Sequence, residues 1–219
     1  MSTPHPIQQG LENSRLARQH APYFVQAVQV SSALQGFSRL DVFSQFCAGR
    51  RVLHVGCVDW PITNPKQSLH VQLARHCAQL DGFDIHAEGF ELLRPELPEG
   101  SRLFSDWAEV TEPYDIVLVP EVMEHVPDVQ GFLAQLDRVQ AGHFVITVPD
   151  AYSCFAAHFE HLPDQNTLVE VVHPDHNCWY TPYTFSNVLR KYTPWQLNAL
   201  YFFNRISLLA VASRSQVLG

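Results

Sequence analysis

Glu121, Glu124 and His125 lie within five residues of one another, directly behind an apolar run from Tyr114 to Pro120. Two carboxylates and an imidazole that converge on one point either bind a metal ion or manage protons. Their spacing of i, i+3, i+4 predicts a single helical turn that presents all three on one side. The run before them reads as a buried strand, and the carboxyl end of such a strand is where open α/β sheets hold their chemistry. An enzyme is the expectation.

Positioning that cluster requires a scaffold, and the chain alternates strand and helix patterns on both sides of it. Residues 52–56 read as a buried strand, 69–80 as a helix, 81–85 as a short strand, 88–93 as a helical stretch and 102–105 as a third strand. After residues 114–119 as strand four, Asp128 is an N-cap for a helix carrying Phe132, Leu133, Leu136 and Val139 on one face. Residues 144–148 form strand five, and an irregular stretch follows. Thr181-Pro182 then opens the last helix as N-cap and first-turn proline. Residues 196–203 and 206–213 read as an antiparallel strand pair across Asn204-Arg205. Upstream, the apolar positions of 22–46 predict two short amphipathic helices interrupted at Gly36, and residues up to His20 are polar and loosely held. The pattern is α/β, a mostly parallel sheet with helices on both faces.

Composition narrows the function. At 219 residues the chain can bury one sizeable core, and 46% hydrophobic content excludes a largely disordered chain. A formal charge of −8 with no basic block argues against a nucleic-acid partner. Five cysteines without CxxC pairing read as free thiols rather than a disulfide framework or zinc knuckle. The first ten residues lack the basic start and apolar core of a secretion signal, and no apolar run reaches the ~20 residues that span a bilayer. A cytoplasmic protein with no membrane span is expected, as a monomer or homodimer.

The turn after the first strand, Gly56-Cys57-Val58-Asp59-Trp60-Pro61, carries neither the dinucleotide G-x-G-x-x-G nor a P-loop. Asp84 ends the second strand, where an acid can hold ribose hydroxyls. A ligand with a ribose and no phosphates fits, and S-adenosylmethionine is one. These residues resemble the class I S-adenosylmethionine-dependent methyltransferases, over about residues 50–213. Val52 to Cys57 is similar to that family's first motif, Asp84 to its ribose-binding acid, and Asp106-Trp107 to its adenine-side residues. Tyr114 to His125, followed by Ile146 to Tyr152, is the closest likeness, and it resembles the branch that acts on small hydroxylated metabolites, sugars and polysaccharide precursors. His173-Pro174-Asp175-His176-Asn177-Cys178-Trp179 is also similar to that branch. The first motif departs from the pattern: His54 stands in the place of the usual acid, and Val58 and Trp60 replace two glycines, adding bulk where the methionine end of the cofactor would run.

The resemblance implies a Rossmann-like, mostly parallel seven-stranded sheet with a terminal antiparallel hairpin. Residues 49–219 would form the methyltransferase domain and 1–48 an N-terminal helical extension. It implies a cofactor site of Gly56, Cys57, Asp84, Ile85, Asp106, Trp107 and Pro120. It also implies a divalent cation, Mg²⁺, Mn²⁺ or Zn²⁺, held by Glu121, Glu124, His125 and His176 or His173. Catalysis would fall to His125, His176 and Glu121, on the hydroxyl of a small-molecule or glycan acceptor. The cluster leaves two other uses open: His125 as a metal-free base, since imidazole titrates near pH ~6.5, and a structural role for Glu124 as a helix cap or arginine partner. Two other functional classes compete: a methyltransferase-fold protein that has lost its cofactor and acts as a non-catalytic partner, and a metal-dependent hydrolase.

Overall fold

The structure is a computed structural model that describes residues 6–59 and 64–214. Ten strands are described: β1 (Ser31–Leu34), β2 (Arg51–Val55), β3 (Gln79–Phe83), β4 (Leu103–Phe104), β5 (Tyr114–Pro120), β6 (Ala141–Pro149), β7 (Phe159–Leu162), β8 (Thr167–Glu170), β9 (Trp195–Phe203) and β10 (Ser207–Arg214). The helices are α1 (Pro6–Asn13), α2 (Arg15–Gln19), α3 (Arg39–Cys47), α4 (Leu69–Ala74), α5 (Phe90–Leu93), α6 (Val129–Arg138), α7 (Ala151–His158) and α8 (Pro182–Tyr192). Eight strands form one sheet in the order β1-β9-β10-β6-β5-β2-β3-β4, while β7 and β8 pair as a separate hairpin. All neighbours in the main sheet are parallel except β10, which runs antiparallel to both β6 and β9.

Strand alternation decides which side chains meet which helix layer. Leu53, Val55, Val117, Val119, Phe144 and Ile146 face one side, where Leu133 and Leu136 of α6 and Phe185 and Leu189 of α8 cover them. Val52, Ile116, Leu118 and Val145 face the other, against Val42 and Phe43 of α3 and Leu73 and Ala74 of α4. Parallel strands covered on both faces must be apolar on both faces, which is why β2 and β5 read as continuous hydrophobic runs. The predicted caps are present. Asp128 Oδ1 accepts from the Gly131 N–H at 2.9 Å, and Thr181 and Thr184 form a reciprocal capping box behind Pro182. The terminal hairpin turns through Asn204 and Arg205, both with positive φ.

The N-terminal expectation is corrected. Within residues 22–46 only α3 is an α-helix; Pro22–Phe24 is a single 3-10 turn and Ser31–Leu34 is a strand, paired parallel to β9. Val25, Val28 and Val30 are β-branched and favour extended backbone. Without β1, β9 would be an edge strand whose open N–H and C=O groups are a template for pairing. The sheet thus has eight strands rather than seven, the eighth coming from the stretch expected as a helical extension, and α3 packs on the sheet as well. Residues 15–19, expected to be loose, form α2, with Ser14 accepting the Ala17 N–H as its cap. The helix expected over 69–80 stops at Ala74, and Gln79 and Leu80 instead pair with Arg51 and Val52. The irregular stretch after strand five contains α7 and the β7–β8 hairpin.

Candidate active site

The carboxyl ends of β2, β3, β4 and β5 lie side by side, with Val55 level with Phe83 and Phe83 level with Phe104. The turn after β2 bends back across β3: the Gly56 N–H donates to the Phe83 carbonyl at 2.9 Å. Gly56 sits at φ +78, and a Cβ there would come within 2.5 Å of Val122 Cγ2, so only glycine fits. Cys57 and Val58 are both buried, packed with Phe90 and Leu93 beneath the turn. The two side chains expected to crowd the ligand space, Val58 and Trp60, therefore divide: Val58 turns into the core, and Trp60 lies outside the described residues. Burial, with Asp84 nearby, pushes the Cys57 thiol well above its ordinary value.

Asp84 is buried and braces this turn. Its Oδ2 accepts from the Val58 N–H at 2.8 Å and its Oδ1 from the His86 N–H at 3.0 Å. A carboxylate has about four lone-pair sites, so these two bonds leave Asp84 room to accept further donors. Ile85 beside it is 77% exposed. Asp106 caps the 3-10 turn Trp107–Glu109 by accepting the Ala108 N–H at 2.9 Å. Trp107 is half-buried and stacks on Phe83, with ring centroids 3.7 Å apart. Pro120 ends β5 and is buried. Gly56, Asp84, Ile85, Trp107 and Pro120 thus share one edge of the sheet, while the Cys57 side chain points beneath it.

The acid–histidine cluster adjoins this edge, and its geometry differs from a helical turn. Only Met123–His125 is helical, as a 3-10 turn. Glu121 precedes it at φ 54, a left-handed conformation that costs a non-glycine residue about 1–3 kcal/mol. Its N–H is anchored on the Thr147 carbonyl at 3.0 Å and on Thr147 Oγ1 at 3.2 Å. The kink sends the Glu121 carboxyl toward the buried hydroxyls of Thr147 and Ser207; burial raises its pKa, and those hydroxyls together with Arg39 oppose the rise. Glu124 is fully buried, and neither of its carboxyl oxygens has a hydrogen-bond partner among the described residues. Burial first, and Glu121 second, push its pKa up to about 9.

The 173–179 segment closes over this turn. The Asn177 N–H donates to the Glu124 carbonyl at 2.7 Å, and its Nδ2 donates to the His125 carbonyl at 2.8 Å. That pinning brings the His176 ring to 4.5 Å from the His125 ring, centroid to centroid, and the His173 ring to 5.1 Å. Side-chain ligand atoms of Glu124, His125 and His176 lie within 4.8 Å of one another. Glu121 and His173 stand outside that set. Burial, then the neighbouring histidines, lower His176 to about 4, and burial with His173 lowers His125. A divalent cation suits this donor set, because it would satisfy a buried carboxylate and a buried His176 Nδ1 that are otherwise unpaired.

Two contributors carried no signal of their own in the sequence. Asn177 is one. Arg39, at the start of α3, is the other: its Nε is buried without a hydrogen-bond partner among the described residues, and its charge acts on Glu121, Glu124 and His54. No periodicity links residue 39 to residue 121, and only the packing of α3 on the sheet brings them together.

No curated protein matches the chain in sequence. Solved structures do resemble it in fold. The N-methyltransferase NodS from Bradyrhizobium japonicum WM9, in complex with S-adenosyl-L-homocysteine, superposes with a TM-score of 0.53 at 14% identity, over 97% of this chain and 94% of that one. Magnesium protoporphyrin IX methyltransferase from Synechocystis PCC 6803, with bound S-adenosylmethionine, gives 0.51 at 15% identity over 80% and 78%. The methyltransferase domain of bacterial CtHen1 gives 0.53 at 19% identity over 80% and 94%. A family model described as a methyltransferase domain matches residues 32–192. With its sheet order, its turn after the first strand and that match over most of its length, the chain belongs to the class I S-adenosylmethionine-dependent methyltransferases.

Proposed function

We propose that the protein is an O-methyltransferase that uses S-adenosylmethionine to methylate a hydroxyl of a small metabolite or glycan precursor, with a divalent cation held by Glu124, His125 and His176. The observation that carries this reading is the convergence of those three side chains within 4.8 Å, beside the edge formed by Gly56 and Asp84. When bound, S-adenosylmethionine supplies a methyl group on a positively charged sulfur. A divalent cation lowers the pKa of a hydroxyl that it contacts.

The chain's own residues do the rest. Because burial and neighbouring rings hold His125 and His176 below the ordinary imidazole value, both present nitrogen lone pairs at neutral pH, as ligands or as proton acceptors. Glu124 carries a proton at neutral pH in the absence of a cation, and that proton must leave for the carboxylate to become a ligand. Asn177 fixes the distance between the Glu124–His125 turn and His176, and such fixed placement supplies much of the rate in a displacement reaction. Asp84 would accept ribose hydroxyls on its free lone pairs, with Ile85 and Trp107 offering apolar surface to a base. That Val58 packs inward supports cofactor binding over a non-catalytic partner.

The test is calorimetric titration with S-adenosylmethionine and S-adenosylhomocysteine, with and without Mg²⁺, Mn²⁺ or Zn²⁺. Micromolar binding that Asp84→Ala abolishes, in a protein that still folds, is expected. The absence of any binding by the unmutated chain would sink the proposal and favour the partner protein.

A further inference from the structure

The rings beside the histidine cluster continue outward from it. His176 lies 6.0 Å from Trp179, Trp179 lies 5.0 Å from Phe159, and Phe159 lies 6.1 Å from Phe155, centroid to centroid. This line ends at the surface of α7, where Phe155 is 70% exposed and Tyr152 72% exposed. The β7–β8 hairpin beside it exposes Leu168 and Val169, and Val171 just beyond it is 63% exposed. The whole lobe springs from one base, where Asp150 and Tyr180 bridge and the Ala151 N–H donates to the Tyr180 carbonyl at 2.8 Å. Apolar side chains gathered in this way, on an element that buries little else, mark a surface that something covers.

Charge selects what that something is. Between Arg138 and Arg190 the chain has no lysine or arginine. Glu160, Asp164, Glu170 and Asp175 are all exposed in the lobe. A phosphate-bearing ligand or an anionic lipid surface would meet those four exposed carboxylates there and no lysine or arginine to replace its counterions.

We propose that α7 and the β7–β8 hairpin bind the apolar body of the methyl acceptor, an uncharged or cationic, phosphate-free molecule whose hydroxyl end reaches the His125–His176 pair along the line of rings. The inference rests on the methyltransferase reading and names the substrate class for that site: an amphiphile with an apolar or aromatic body, rather than a nucleotide sugar, a sugar phosphate or RNA.

The test uses the full chain and three probes: n-octyl glucoside and octyl phosphate, each below its critical micelle concentration, and methyl glucoside. Calorimetry should give octyl glucoside at least tenfold tighter binding than either of the others. Tyr152→Ser and Phe155→Ser should each erase about tenfold of that preference and leave S-adenosylhomocysteine binding unchanged; both side chains are exposed, so neither exchange opens a cavity. Equal binding of octyl and methyl glucoside overturns the proposal, as does a preference for octyl phosphate. So does a dimer in analytical ultracentrifugation that Phe155→Ser dissociates, which would make a second copy the occupant. Pelleting with phosphatidylcholine vesicles that octyl glucoside does not compete away would make a membrane the occupant and overturn it too. Phe155-dependent octyl glucoside binding in a protein that binds no S-adenosylhomocysteine would instead overturn the methyltransferase reading and leave the lobe a ligand site.

Discussion

In the proposed mechanism the chemistry turns on Glu124, because a fully buried carboxyl with no hydrogen-bond partner among the described residues is costly unless it is protonated or bound to a cation. The two states predict different behaviour for Glu124→Gln, which mimics the protonated form. In the metal-free protein at pH 7 its melting temperature should equal or exceed that of the unmutated chain. Added Mn²⁺ or Zn²⁺ should raise the melting temperature of the unmutated chain and leave that of Glu124→Gln unmoved; equal metal shifts in both proteins would remove Glu124 from the site. Asn177→Ala removes the Nδ2 bond that ties His176 to the His125 turn. One such bond contributes about 0.5–1.5 kcal/mol to stability. A supporting residue of this kind, however, typically costs about 10–100-fold in metal affinity or activity when removed. The expected pattern is therefore a shift of a few degrees in melting with a much larger loss of metal affinity. A large melting shift with unchanged metal binding would show Asn177 to be only a loop staple.

At the scale of elements, β2 and α4 are joined by an unusual contact. His54 Nδ1 and His70 Nδ1 lie 3.1 Å apart, both residues are buried, and both Nε2 atoms lack hydrogen-bond partners among the described residues. Burial, then His70 and Arg39, hold His54 well below its ordinary value, and burial lowers His70 to about 4, with Asp81 opposing. The unfolded chain takes up protons near pH ~6.5 while the folded chain does not, so stability is full above that pH and falls as pH drops toward about 4. His70 alone accounts for roughly 3 kcal/mol over that window at ~1.4 kcal/mol per pH unit. The acid limb of a urea-stability profile between pH 6.5 and 4 should flatten in a His54→Leu/His70→Leu double variant, since removing both partners of a buried bond can be close to neutral. An unchanged slope would assign the acid sensitivity elsewhere. Asp81 acts in a lower window. Burial would raise its carboxyl, but bonds from Arg102, Gln79 and Tyr114 outweigh that and hold it below the ordinary carboxylate range.

For the whole molecule, a ligand that binds only the folded chain must stabilise it by mass action. At one hundred times its dissociation constant, S-adenosylhomocysteine should add about 2.7 kcal/mol. For a chain of 219 residues this corresponds to a rise of roughly 5–10 °C in melting temperature. Scanning fluorimetry at graded ligand concentrations reads it directly, and a flat profile would count against cofactor binding. No helix among the described residues is long and apolar enough to cross a membrane.

Residue patterns by themselves determined the alternation of strands and helices, the caps at Asp128 and Thr181, the terminal hairpin and the location of the acid–histidine cluster behind strand β5. All of these are local: a hydrophobic period, a capping oxygen or a turn pair acts over a few residues, so the chain states them openly. Tertiary structure decided the rest. Whether 31–34 became helix or strand depended on an open edge of β9 about 170 residues away. The left-handed kink at Glu121, held by Thr147, took that carboxyl off the helical turn that its spacing suggested. His176 came to His125 through Asn177, and Arg39 came toward both carboxyls through the packing of α3. Val58 lost its apparent conflict with a ligand by turning inward, a choice between two faces of a turn that burial makes and spacing does not.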